Sequence, residues 1–201
     1  MQQLFSAVNS YRSILEPFKN AAFSGSFSNS LEARAARERG CEDNKTAVQL
    51  SLVAQRRYTA ELFSISILAG SILSLAEKFI EIYSKNNKRP ANLGFTIKDQ
   101  KLNFAVGRVI HRVPLGLVIH AARNQHFHFE SETYRSPVTE VFATLAERVS
   151  VNSGEKYIDP AFELNKFTRP IMAANVLHLI GWSNEIDFTR DLKEILSENE
   201  S

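Results

Sequence analysis

Apolar residues recur at steps of three and four along most of the chain, a spacing typical of amphipathic α-helices. The longest such stripe runs from Leu62 to Ile82, and apolar positions at the same spacing extend it upstream. Polar and breaking residues at Asn86–Pro90 interrupt it. The pattern therefore predicts one long helix from about Thr46 to Tyr83.

Start signals and apolar stripes predict five more helices downstream. The first begins at the capping-box spacing Thr96–Asp99 and has Leu102, Val106, Val109 and Val113 on its buried side. The next two begin at Pro114 and at Ser136-Pro137, and the latter reaches Val149. The last two cover Ile171–Ile180 and Phe188–Leu196. A short turn is predicted at Asp159-Pro160. Because no segment alternates with period two between turn residues, no strand is predicted.

The first 45 residues are predicted to form an N-terminal arm. Leu4–Ala22 has a helical pattern with a break near Pro17, and residues 23–30 have the composition of a loop. The charged segment 31–39 suits either a solvated helix or a mobile arm. We therefore expect an all-α fold in which residues 46–201 form a single-domain helical bundle, with extra helices at both ends.

Composition narrows the class of protein. The 201 residues are 44% hydrophobic and 23% charged, which is ordinary for a globular domain. The single cysteine, Cys41, excludes an internal disulfide framework and a cysteine-based zinc site. The N-terminus lacks signal-peptide features. The uncharged run Leu62–Ala76 is shorter than the roughly 20 apolar residues that span a bilayer, so we expect a core helix and a cytoplasmic protein.

Charge is distributed unevenly, although Lys+Arg 24 nearly balance Asp+Glu 22. Between Lys85 and Arg123 eight basic residues accompany one acid, whereas residues 185–201 hold six acids and two bases. On the predicted helix Lys101, Arg108 and Arg112 share one face, which with His126 suggests a nucleic-acid-binding surface. The alternative is a solvated face with counter-charges supplied by the acidic C-terminus.

The candidate chemistry lies in the sequence Arg123-Asn124-x-x-x-His128. It resembles the Arg-x4–6-His motif of the HEPN superfamily, in the form where a polar residue follows the arginine. The resemblance covers about residues 46–149 and implies an all-helical domain. Members include metal-independent endoribonucleases that act as toxins or in antiphage defence, and others that only bind. It further implies a homodimer, and a toxin of this kind has an antitoxin-type protein partner.

The chemistry of RNA cleavage suits these residue types. A proton must leave the 2′-hydroxyl and another must reach the 5′-oxygen, and histidine does either near neutral pH. We therefore assign the acid/base role to His128 and the phosphate and transition-state role to Arg123, whose fork matches phosphoryl oxygens. Asn124 lies one helical turn before His128 and orients the ring or the phosphate.

The five-residue offset between Arg123 and His128 rotates about 140° around a regular helix. The two side chains therefore share a site only if the helix is irregular or a second chain contributes. One histidine also serves both ends of the reaction with difficulty, so a two-fold dimer, with RNA in a shared cleft, is the expected arrangement.

Other interpretations remain open. His126 and His128 with His120 and Glu130 contain metal-binding residue types, but His126 and His128 point apart on a helix, so no metal is assigned. Arg123 and His128 also suit a structural polar network, and the same scaffold suits a non-catalytic binding protein. Because phosphate-loop, nucleophile-elbow and paired-cysteine motifs are absent, no cofactor is assigned.

Overall fold

A computed structural model describes residues 1–22, 45–150, 154–165 and 169–197. The chain forms two compact units, one of Met1–Val8 with Ile65–Ser201 and the other of Asn9–Ser64. The described residues are mainly helical, as predicted. The predicted loop at 23–30, the segment 31–39 and Cys41 lie outside the described residues.

Six α-helices lie within these ranges. They are α1 (Gln2–Ala22), α2 (Lys45–Tyr83), α3 (Leu115–Phe127), α4 (Val138–Ala146), α5 (Met172–Leu179) and α6 (Glu185–Ser197). The helix predicted over Thr46–Tyr83 is confirmed within one residue. In α1 the predicted break near Pro17 is wrong, because the helix continues through it. The α5 and α6 predictions are also confirmed.

The second half of α2 lies in the core of the first unit. Ile65, Ile72 and Ile80 are almost fully buried there. Among the described residues one stretch, Leu52–Tyr83, is long and apolar enough to cross a membrane by length and composition, with a mean hydropathy of 1.6 over an 18-residue window. This is weak evidence, because core helices of soluble proteins have the same composition and 39% of that window is buried.

The helix predicted from the Thr96–Asp99 start is wrong. A 3₁₀-helix occupies Asp99–Phe104, and a two-stranded antiparallel hairpin of β1 (Val109–Ile110) and β2 (Val113–Pro114) follows. Both residues of its turn, His111 and Arg112, have positive φ, as a tight hairpin turn requires. Leu102, Val106 and Val113 are buried as predicted, whereas Val109 is exposed. The strands also correct the expectation of a strand-free chain.

Helix α3 is the central helix of the first unit. Every residue from Leu115 to Ala122 is buried, and the helix packs against both α4 and α5. Gly116 permits α3 to approach the 3₁₀-helix closely, because a Cβ there would lie 2.5 Å from the carbonyl oxygen of Phe104. The polar residues of α3 lie from His120 onward, and two of them, His120 and Gln125, are buried.

The remaining elements complete the first unit. Helix α4 ends at Ala146, short of the predicted Val149, because Glu147–Val149 form a strand, β3, paired with β4 (Lys156–Ile158). A turn follows β4 at Asp159-Pro160, as predicted. Helix α6 buries Phe188, Leu192 and Ile195, so the described part of the acidic C-terminal segment, residues 185–197, packs onto the core.

Candidate functional site

A polar cavity of about 420 Å³ lies where α3 ends. Its lining comes from the 3₁₀-helix, from the second half and C-terminal end of α3, and from the segment that leads into α4. The lining residues are Lys101, His120, Asn124, His128, Ser131, Thr133, Tyr134, Arg135, Ser136, Pro137 and Val138. The cavity thus brings together two histidines, an amide and two basic side chains.

His128 lies at the C-terminal cap of α3 and is exposed. Its backbone (φ −122°, ψ 27°) departs from helical values, while its N–H still bonds to the carbonyl oxygens of Asn124 and Gln125. The rotation expected for a regular helix therefore does not apply to this residue. The side chains of Asn124 and His128, which are one helical turn apart, reach the same cavity.

A buried carboxylate, Glu77 of α2, connects two functional candidates on α3. Nδ1 of His120 lies 2.7 Å from Oε1 of Glu77, and both side chains are less than a tenth exposed. Nε of Arg123 lies 2.9 Å from Oε2 of the same carboxylate, an ion pair in which the N–H is not aligned for a hydrogen bond. Glu77 therefore holds the imidazole and the guanidinium on one side of α3.

Arg123 is the partly exposed member of this group, with 30% of its side chain exposed. Its Nη1 donates to Oδ1 of Asn124 at 3.2 Å, and the guanidinium lies 4.4 Å from the centre of the Phe127 ring. It does not line the cavity. The structure therefore unites Asn124 and His128 in one cavity and places Arg123 behind them, as a partner of Glu77 and Asn124.

Asn124 lies against the His120 ring. Its Nδ2 donates to the His120 carbonyl oxygen at 2.9 Å and lies 3.1 Å from Nε2 of the ring. On its other face the ring stacks on Phe104 at 4.3 Å. These contacts, with Glu77, fix the plane of the imidazole. Because a carboxylate only accepts, Nδ1 carries a proton toward Glu77, and in the neutral ring the lone pair is then on Nε2.

His126, predicted to bind nucleic acid, lies elsewhere. Its imidazole occupies the space over Gly70 of α2, where a Cβ would overlap the ring. Burial lowers the pKa of His126 below its ordinary value of 6.5, so the ring is neutral at pH 7. A neutral ring packed on a neighbouring helix is poorly suited to a phosphate contact.

Arg108 belongs to a structural ion pair. It donates to Oδ2 of Asp191 through Nε (3.1 Å) and Nη2 (2.8 Å), and it also bonds the carbonyl oxygen of Ile180. Trp182 Nε1 donates to the same oxygen at 2.7 Å. Burial alone raises the pKa of Asp191, but these hydrogen bonds and the charges of Arg108 and Arg190 lower it overall.

Arg112 and Lys101 complete the predicted basic surface. Arg112 lies in the hairpin turn and pairs with Glu147 at 2.7 Å, with both side chains mostly exposed. Lys101 lies 5.6 Å from the centre of the Phe104 ring and lines the cavity. Of the four residues predicted to bind nucleic acid, Lys101 lines the cavity, whereas Arg108, Arg112 and His126 do not. The acidic C-terminus supplies a counter-charge to Arg108.

Sequence reasoning missed three residues of this site: Glu77, Arg135 and the position of His120 at the cavity. Glu77 and His120 are 43 residues apart, and Arg135 lies in an irregular segment. The sequence signal for Glu77 was its position at the end of the uncharged helical run Leu62–Ala76. A carboxylate on the buried face of a helix needs a polar or charged partner, so this position indicates a contact with another element. Within the described residues no group of three or more His, Cys, Asp and Glu side chains is arranged to hold a metal ion.

Comparison of the chain with protein-family models, curated proteins and solved structures finds no match.

Proposed function

We propose that this chain binds RNA and cleaves it as a HEPN-type endoribonuclease. The observation that carries the proposal is the exposed His128 on a polar cavity that it shares with Asn124, Lys101 and Arg135. Histidine is the usual acid/base group of a reaction at neutral pH, and paired cations attract a phosphodiester. Arg135 forms no ion pair with any described residue, so its charge is available to the cavity.

The cleavage is an internal displacement at phosphorus. The 2′-oxygen forms a bond to phosphorus, the bond to the 5′-oxygen breaks, and the products carry a 2′,3′-cyclic phosphate and a 5′-hydroxyl. In this proposal His128 protonates the departing 5′-oxygen, and Lys101 and Arg135 bind the negatively charged phosphoryl oxygens. Arg123 acts as a positioning residue, because its contacts hold Asn124 at the cavity.

The test is cleavage of a mixed RNA pool in the presence of a chelator, with product ends identified chemically. We expect wild type to cleave, and His128→Ala to lose about 10²- to 10⁴-fold, the usual range for an acid/base group. His178→Ala is the matched control, since His178 is exposed on α5, away from the cavity. Equal cleavage by wild type and His128→Ala contradicts the proposal.

A second candidate function is a non-catalytic RNA-binding protein. The observation that favours it is the Glu77 network, because a buried carboxylate paired with His120 and Arg123 also serves to join α2 to α3. This alternative predicts no cleavage by wild type. It also predicts RNA binding that weakens in Lys101→Gln and is unchanged in His128→Ala.

A further inference from the structure

The cavity contains a second histidine with a defined tautomer. His120 borders the same cavity as His128, although it lies two turns earlier on α3 and is 4% exposed as a residue. Its ring is held on three sides, by Glu77 at Nδ1, by Phe104 on one face and by the Asn124 amide near Nε2. A polar group that is buried, oriented and adjacent to a cavity is a functional candidate in its own right.

We propose that His120 is the general base that completes the site within one chain. This inference rests on the proposed ribonuclease function. Cleavage needs one group to accept the 2′-hydroxyl proton and another to donate a proton to the 5′-oxygen, and the cavity offers His120 and His128 for these two steps. A second protomer is then not needed to supply the missing histidine.

The contacts of His120 decide which step it performs. Because Glu77 accepts Nδ1–H, the lone pair of the neutral ring is on Nε2, which is the atom that takes up a proton. In the free protein the Asn124 amide nitrogen lies 3.1 Å from Nε2. The same amide nitrogen donates to the His120 carbonyl oxygen at 2.9 Å and lies 3.3 Å from Nδ1, so it lies against the ring. A substrate 2′-hydroxyl approaches Nε2 beside it, from the cavity.

Over one turnover His120 accepts one proton and His128 donates one. The 2′-hydroxyl proton moves to Nε2 of His120 as the 2′-oxygen bonds to phosphorus. The bond from phosphorus to the 5′-oxygen breaks, and protonated His128 donates its proton to that oxygen. His120 ends protonated beside the Glu77 carboxylate, and His128 ends neutral. Exchange with water returns each ring to its starting state.

The first test compares wild type with His120→Asn. Asparagine retains a donor in the place of Nδ1, so Glu77 keeps a partner, but it cannot take up a proton. We expect cleavage to fall at least 100-fold through kcat, with KM and the affinity for 2′-O-methyl RNA within threefold of wild type. His178→Asn is the matched control, because it makes the same substitution at an exposed histidine outside the cavity.

The outcomes separate the two proposals. An inactive wild type overturns the ribonuclease function and this inference with it. An active wild type with His128→Ala impaired and His120→Asn within threefold overturns the inference alone. Mixing inactive His120→Asn with inactive His128→Ala gives a further control: recovered cleavage indicates a site shared between two chains, and this also overturns a site complete in one chain.

If His120→Asn does not fold, a measurement on wild type tests whether His120 takes part in the reaction. RNA with a 2′-deoxy residue at the cleavage position binds without being cleaved. On addition of this RNA we expect the ring nitrogen NMR signals of His120 and His128 to shift together, while those of His178 stay in place. Unchanged His120 signals at saturating RNA overturn the inference.

Discussion

Two buried carboxylates, Glu77 and Asp191, determine where much of the positive charge of this protein lies. Each is almost completely buried, and each holds an arginine that the sequence pattern left free for a ligand, Arg123 and Arg108 respectively. A buried carboxylate without such partners is costly, so these arginines are retained by the fold first. The charge that remains available at the cavity is that of Lys101 and Arg135.

The pH dependence of stability provides a test of the Asp191 cluster. Because the folded-state pKa of Asp191 lies below its ordinary value of 3.8, its stabilising contribution is complete above that value and is lost as pH falls through the folded-state pKa. At neutral pH we expect the free energy of unfolding of Asp191→Asn to be about 1–3 kcal/mol below that of wild type. Urea unfolding between pH 3 and 7 measures this difference.

The difference between wild type and Asp191→Asn should shrink as the pH falls below about 4, because the wild-type carboxyl then becomes protonated. Asp187→Asn is a control on the same helix, where the carboxylate is partly exposed and pairs with Arg190. A free-energy difference that stays constant from pH 3 to 7 contradicts the role given to the Asp191 charge.

At the scale of elements, the contact between α2 and α3 depends on Gly70 and His126. Alanine at position 70 improves helix propensity by about 1 kcal/mol but forces the His126 ring out of its place. Overpacking of this kind costs about 1–3 kcal/mol. We therefore expect Gly70→Ala to destabilise the wild type by about 1 kcal/mol and to stabilise a His126→Ala background by about the same amount. Chemical denaturation of all four proteins gives both values, and stabilisation in both backgrounds contradicts this packing.

The hairpin turn makes a second prediction at this scale. Arg112 has φ 71°, a left-handed conformation that costs a non-glycine residue roughly 1–2 kcal/mol. Its ion pair with Glu147 is mostly exposed and contributes at most about 1 kcal/mol. We expect Arg112→Gly to stabilise the protein by up to about 1 kcal/mol, read from the thermal unfolding midpoint. Glu147→Gln, which removes only the pair, is the control and should be neutral or slightly destabilising.

The elements that the sequence predicted correctly are helices in which apolar residues recur every three to four positions along the whole length. The long α2 and the amphipathic α6 have such periods, and both were predicted within a few residues. The segment 102–113 has helical spacing too, yet it folds as a 3₁₀-helix and a hairpin. Its burial is decided by tertiary packing on α3, and Gly107, with φ 80°, was the local signal for a break.

At the scale of the whole molecule, the cavity joins groups that are far apart in sequence. Asn124 and His128 were predictable, because one motif contains both. Glu77 and Arg135 were not, since only the packing of α2 and of the segment before α4 brings them to α3. The argument that placed Lys101, Arg108 and Arg112 on one helical face does not hold, because it requires a helix at 101–112 that the tertiary structure does not form.

The salt dependence of RNA binding separates the cavity from the predicted basic surface. If Lys101 and Arg135 make the phosphate contacts, log K should fall with log salt at a slope of about −1.4, from 0.7 per contact on single-stranded RNA. Lys101→Gln and Arg135→Gln should each reduce that slope by about 0.7, because each removes one contact. Arg112→Gln is the matched control, since it removes an equal charge outside the cavity, and it should leave the slope unchanged. A slope that changes in Arg112→Gln and stays constant in the two cavity variants would place RNA on the hairpin face instead.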